Sequence, residues 1–148
     1  MNDIELRASE FEQKLDVMIS QRESTVKEFA LHLAELYQTM KPIVDMMKRR
    51  GLTFGHPHLQ TVTKHAPIVG RSKNGDTVTV FDGVRVFSVD IAADELKQPR
   101  TVDDYVKTCD YEFASEGLLS LPAQLDSILK GFEQEQANIS DIIQKMKA

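Results

Sequence analysis

Residues 4–50 read IELRASEFEQKLDVMISQRESTVKEFALHLAELYQTMKPIVDMMKRR, and their spacing decides the architecture. Ile4, Ala8, Phe11, Leu15, Met18, Arg22, Val26, Phe29, Leu33, Leu36, Met40, Ile43 and Met47 recur at alternating steps of four and three. This is an a/d heptad seam, with one stutter where Arg22 to Val26 takes a step of four in place of three. Arg22 alone interrupts the apolar series, and its long stem allows it to snorkel. Glu, Lys, Gln, Arg and Ser fill most intervening positions, as a solvated helix face requires.

The ends of this helix carry their own signals. Asn2 or Asp3 can cap the start. Lys48, Arg49 and Arg50 suit the negative end of the helix dipole, and Gly51 suits the left-handed residue beyond it. Leu52 is then placed to touch Met47 in a Schellman arrangement. Pro42 removes a backbone donor and crowds the preceding turn, which predicts a kink or short break near Tyr37–Pro42.

Downstream the pattern changes. Residues 53–64 show no clear period, and Gly55-His56-Pro57-His58 reads as a loop. Three β-rich runs follow over 66–72, 77–81 and 84–91, a predicted antiparallel meander. Asn74-Gly75 and Asp82-Gly83 read as two-residue turns, pairing Val69 with Val80, Val80 with Arg85 and Val78 with Phe87. One face then holds Val69, Val78, Val80, Phe87 and Val89, and the other Ile68, Phe81, Val84 and Val86. Thr101 is a predicted cap for a helix over 102–118, and Ser120 for a last helix. Leu121, Leu125, Ile128, Phe132, Glu135, Ile139, Ile142 and Met146 form a second heptad seam.

The expected fold is α+β. Residues 1–50 form a long coiled-coil-type helix, and 51–120 a small head with the meander (66–91) and a helix (102–118). Residues 121–147 form a heptad helix that packs on the first helix or on a partner. Two heptad helices flanking β-hairpins resemble the layout of prefoldin-type chaperone subunits, with unequal helices and an extra helix before the last. That likeness implies a chaperone as one alternative reading.

Charge narrows the partners. The chain of 148 residues has a net charge of −5. Residues 92–148 hold 11 acids against 6 bases, while 51–91 hold 3 acids against 4 bases. No extended basic footprint for nucleic acid exists, so that partner is not favoured. Contacts to phosphate from Lys48, Arg49 and Arg50 remain the local version of it, with Lys64, Arg71, Lys73 and Arg85 as further bases. No apolar run is long enough to span a membrane, and no signal peptide is evident, so the expected compartment is the cytoplasm.

Candidate chemistry is sparse. Gly70 to Thr77 has P-loop-like glycine spacing, but Asp76 stands where the phosphate-binding lysine belongs, and a strand follows. His56, His58 and His65, with Cys109, are the right ligand types for zinc without a recognised spacing, leaving a metal-dependent enzyme as an alternative. Cys109, the single cysteine, has Thr108 and Asp110 beside it and no activating cation. Asp103 and Asp104 diverge by about 100° around a helix and cannot chelate together. With Asp110, Glu112 and Glu116 they form a candidate acidic partner surface.

These readings favour a non-enzymatic interaction protein, a small regulator, adaptor or inhibitor, with no cofactor and no assigned metal ligands. The expected partners are a second copy of the chain, as a homodimer or higher oligomer, and another protein. The expected seam comprises Phe11, Leu15, Met18, Val26, Phe29, Leu33, Leu36, Met40 and Met47 on the first helix, and Leu125, Ile128, Phe132, Ile139 and Ile142 on the last.

Overall fold

A computed structural model describes residues 2–148, so Met1 of the expected 1–50 segment lies outside the described residues. Helix α1 runs Asp3–Arg49. Strands β1 (Phe54–His56) and β2 (Leu59–Thr63) form one small antiparallel sheet. Strands β3 (Ile68–Arg71), β4 (Thr77–Phe81), β5 (Arg85–Asp90) and β6 (Glu95–Thr101) form a second, in the order β3-β4-β5-β6. Helices α2 (Val102–Tyr105), α3 (Tyr111–Leu119) and α4 (Leu121–Lys147) follow. The class is α+β, as expected.

Both ends of α1 obey their local signals. The Asn2 side chain accepts from the Glu5 amide at 2.8 Å. At the other end Gly51 takes φ +67°. The Leu52 amide reaches the Met47 carbonyl at 2.9 Å, and the Gly51 amide the Lys48 carbonyl at 3.2 Å. This is the Schellman pair, and Leu52 packs on the cluster that contains Met47. The expected break near Pro42 is absent: the helix runs unbroken from Asp3 to Arg49 with Pro42 inside it. Tyr37 on one side of the proline and Val44 and Met47 on the other are all buried in one core.

Only part of α1 meets the rest of the chain. The buried stripe is Ala30, Leu33, Tyr37, Val44 and Met47, flanked by the partly buried Val26, Phe29, Leu36, Met40, Ile43 and Met46. Before Val26 every residue from Asn2 to Thr25 is exposed, Ser9 excepted, which is half-exposed. The border falls on the stutter. There Arg22 leaves the seam and donates to the Lys107 carbonyl at 2.8 Å.

The meander gains a fourth strand, and its pairing differs from expectation. The second turn is Gly83-Val84, not Asp82-Gly83, since the Asp82 amide closes on the Arg85 carbonyl at 3.1 Å. Val80 therefore faces Phe87, and Val78 faces Val89. Gly83 takes φ +97°, and a Cβ there would meet the Tyr37 ring at 2.6 Å, which places the glycine where α1 crosses the turn. The first turn is longer than two residues, because the Ser72 amide closes on the Thr77 carbonyl at 2.9 Å.

Pairing from Arg71–Val78 through Gly70–Thr79 then meets a bulge, after which Ile68 faces Val80 in place of Val69. The bulge exchanges two side chains between faces. Ile68 joins Val78, Val80 and Val89 in one cluster, and Val69 joins Phe81 and Val86 in the other. Strand β6 is exposed throughout and holds Pro99 and Gln98 at φ +53°. A charged, proline-bearing edge strand shows no alternation to read from sequence.

Three further elements depart from expectation. Of the expected loop over 55–58, Pro57-His58 is a turn, but Gly55 and His56 belong to β1, and the turn joins β1 to β2 in a hairpin. The 102–118 helix is two helices, because Asp110 caps a new start by accepting from the Phe113 amide at 3.1 Å. Ser120 caps nothing with its side chain; its backbone is helical, and its hydroxyl accepts from Gln124 at 2.9 Å.

Helix α3 lies directly on β3. A Cβ at Gly117 would collide with the Ile68 carbonyl oxygen, so only glycine fits there.

Candidate functional site

Two kinds of surface are candidates: the bare helix faces and a histidine–aromatic cluster on the head.

The seam residues sort into two groups. Leu33 and Met47 are core residues, and Val26, Phe29, Leu36 and Met40 pack against that core. From Val26 onward the expected seam is wholly or partly covered by the chain's own sheet and helices. Phe11, Leu15 and Met18 stand free, at 63%, 42% and 59% exposure. On α4 the pattern mirrors this. Leu121 is buried, and Leu125 and Ile128 pack on the core. Phe132, Ile139 and Ile142 are exposed, together with Leu129, Ile143 and Met146. Helix α4 touches α1's core only through its first two turns, so intramolecular pairing of the two seams does not cover either bare stretch.

The bare part of α1, Asp3–Thr25, is about 34 Å long. At its base is a largely apolar groove of about 480 Å³, bordered by Met18, Arg22, Val26, Phe29 and Tyr111. Phe29 and Tyr111 meet there edge to face at 4.9 Å.

On the head, His56 is held from both sides. Its Nε2 lies 2.8 Å from the Phe113 carbonyl, and its Nδ1 lies 3.1 Å from the His58 amide. Nδ1 must accept from the amide, so Nε2 carries the proton and donates to the carbonyl. The ring stacks on Phe113 at 3.6 Å, and Arg71 lies 5.0 Å from the same Phe113 ring. Burial pushes the His56 pKa below its ordinary value, against the opposing pull of the Phe113 carbonyl. Both ring nitrogens are thus engaged, and neither has a lone pair free for a metal. His58 pairs with Glu116, while His65 turns to the Asp94 carbonyl. Among the described residues no three His, Cys, Asp or Glu side chains converge as a metal site.

Cys109 borders an open cleft of about 890 Å³ beside Arg71, Arg100, Tyr105 and Phe113. Burial pushes its thiol up to about 11, and Asp110 adds to the shift, so the thiol stays protonated at neutral pH. Gly70 to Thr77 forms a hairpin turn, with Asn74 accepting from the Asp76 amide at 3.1 Å.

Three of the five acids have partners within the chain. Asp104 bonds Arg100 at 3.1 Å, Asp110 caps α3, and Glu116 holds His58. Asp103 and Glu112 are exposed in the first turns of α2 and α3. Lys48, Arg49 and Arg50 are exposed at the end of α1.

Sequence reasoning missed several residues. Gln124 pairs its amide with both backbone groups of Gly55, at 2.8 and 3.1 Å, tying α4 to β1. The Tyr105 hydroxyl donates to the Val69 carbonyl. No local pattern announces either, since each partner lies tens of residues away.

Among the described residues no helix is long and apolar enough to cross a membrane. Comparison of the chain with protein-family models, with curated proteins and with solved structures finds no match.

Proposed function

We propose that this chain is a non-catalytic interaction protein that self-associates through its helices, with the head presented to a further protein as a regulator, adaptor or inhibitor would present it. One observation carries this reading. Ile4, Phe11, Leu15 and Met18 on α1, and Phe132, Ile139, Ile142 and Met146 on α4, are exposed apolar residues on heptad seams. Contiguous apolar stripes of this size are rare on monomeric surfaces and mark association sites. The helices that carry them are continuous with segments anchored in the head, so their ends need no separate nucleation.

The ionisable groups of the head support the same reading from the other side. His56 is engaged at both nitrogens, and Cys109 is held as the thiol. Neither is poised as a base or nucleophile.

Light scattering coupled to size exclusion, at tens of micromolar, tests the proposal. The expected mass is a multiple of the 16.7 kDa chain. A strict monomer would remove self-association.

A further inference from the structure

The bare seam of α1 carries direction as well as apolar surface. In heptad letters Ile4, Phe11 and Met18 are d, and Ala8 and Leu15 are a. The flanking g positions are then Arg7, Lys14 and Gln21, and the flanking e positions Glu5, Glu12 and Ile19. Bases and acids are thus segregated to opposite sides of one stripe, and all of these positions are exposed.

Two copies can meet on this stripe in either direction. In a parallel, in-register pair, each g position faces the e position five residues on in the other copy. Arg7 then faces Glu12, twice by symmetry, and the Lys14 stem lies over Ile19. In an antiparallel pair, g faces g and e faces e. Centred on the bare segment, that arrangement sets Lys14 against Lys14 and Glu12 against Glu12. Charges at e and g set partner orientation in coiled coils. Helix α4 lacks such a code: its flanking positions are Leu129, Gln136 and Ile143 on one side, and Gly131, Asn138 and Lys145 on the other.

We infer that the bare Asp3–Thr25 segment of α1 pairs with the same segment of a second copy, parallel and in register, with Arg7 of each copy facing Glu12 of the other. The inference rests on the self-association proposed above and specifies its surface and direction. Arg22 ends the pairing, because its side chain is committed to the Lys107 carbonyl of its own chain.

Disulfide trapping tests it in full-length protein carrying Cys109→Ser. Ala8→Cys and Met18→Cys are made separately. In a parallel pair each variant faces itself within the roughly 4.4–6.8 Å between Cα atoms that a disulfide accepts. In the antiparallel pair positions 8 would be roughly 15 Å apart along the axis, and position 8 would face position 18. The expected result is a covalent dimer from each variant alone under mild oxidation. Cross-linking only when the two variants are mixed, in protein that light scattering shows to be oligomeric, would overturn the parallel arrangement and leave self-association standing. An oligomer with no cross-link in any combination would place association on α4 and also overturn the inference. A monomer by light scattering would overturn both readings.

A charge swap adds an independent arm. Arg7→Glu sets a second carboxylate against Glu12 at two places and is expected to weaken association about tenfold at low salt. Arg7→Glu with Glu12→Arg is expected to restore it. Failure of the double variant to recover would count against the assigned pairing.

Discussion

The Tyr105 hydroxyl donates to the Val69 carbonyl at 2.8 Å and occupies the space that a side chain at Gly70 would need. A Cβ at position 70 would collide with that oxygen and fall 3.1 Å from the Thr79 Cβ. Val69 is the residue left over by the bulge in β3, so its carbonyl looks away from β4's regular ladder and finds its partner on α2. Burial raises the Tyr105 pKa far above its ordinary value, so the hydroxyl keeps its proton at any working pH.

Tyr105→Phe is therefore expected to destabilise the fold by about 1–3 kcal/mol, the cost of leaving a buried carbonyl unpaired. Gly70→Ala should destabilise it too, by collision with the same oxygen. Because both act on one contact, the double variant should lose less than the sum of the two. Urea denaturation of the four proteins measures this. Simple additivity would mean that Gly70 is required for some reason other than Tyr105.

His56 predicts a dependence of stability on pH. Its pKa is lowered in the folded chain chiefly by burial, with His58 and Arg71 adding to the shift and the Phe113 carbonyl and Glu116 opposing it. The unfolded chain therefore takes up a proton at this residue at higher pH than the folded chain does. The contribution of His56 is fully present above the ordinary histidine value of about 6.5, and is lost as pH falls below it toward the folded value. Melting temperature measured from pH 8 down to pH 5 should fall more steeply for the parent than for His56→Gln. Equal slopes would show that the imidazolium is tolerated in place.

The helical frame was legible in the sequence because its signals are local. The seam, the Asn2 cap and the Gly51 terminus each lie within a few residues of what they control. What was illegible depended on distant partners. Val69 and Ile68 exchange faces through a one-residue bulge, which no alternation pattern encodes. Strand β6 has no apolar face to announce it. The seam was legible but not its ownership: heptad spacing is the same whether a stripe meets its own head, as at Leu33, or stands bare, as at Leu15. The stutter at Arg22–Val26 was the one sequence feature at that boundary.

Pro42 makes a separate prediction. It is exposed and lies inside an unbroken helix, where it withholds a hydrogen bond from the Gln38 carbonyl. Proline in a helix interior costs about 3 kcal/mol relative to alanine. Pro42→Ala is expected to stabilise the chain by about 1–3 kcal/mol, raising the melting temperature by about 5 °C. No gain would mean that packing of Tyr37 and Val44 already absorbs the proline at no cost.

Leu15 and Leu33 occupy the same seam and should fail in opposite ways. Leu33 is 2% exposed, so Leu33→Asp places a carboxylate in the core without a partner. Its expected effect is loss of the cooperative fold, at a cost of about 3–5 kcal/mol. Leu15 is 42% exposed in the single chain, so Leu15→Asp removes nothing from the head. It should leave the head's secondary structure intact while lowering the mass in solution toward that of one chain. Circular dichroism and light scattering on the pair separate the outcomes. If Leu15→Asp kept the parent mass, association would have to run through Phe132, Ile139 and Ile142 on α4, and the same substitution at Ile139 would then split the assembly.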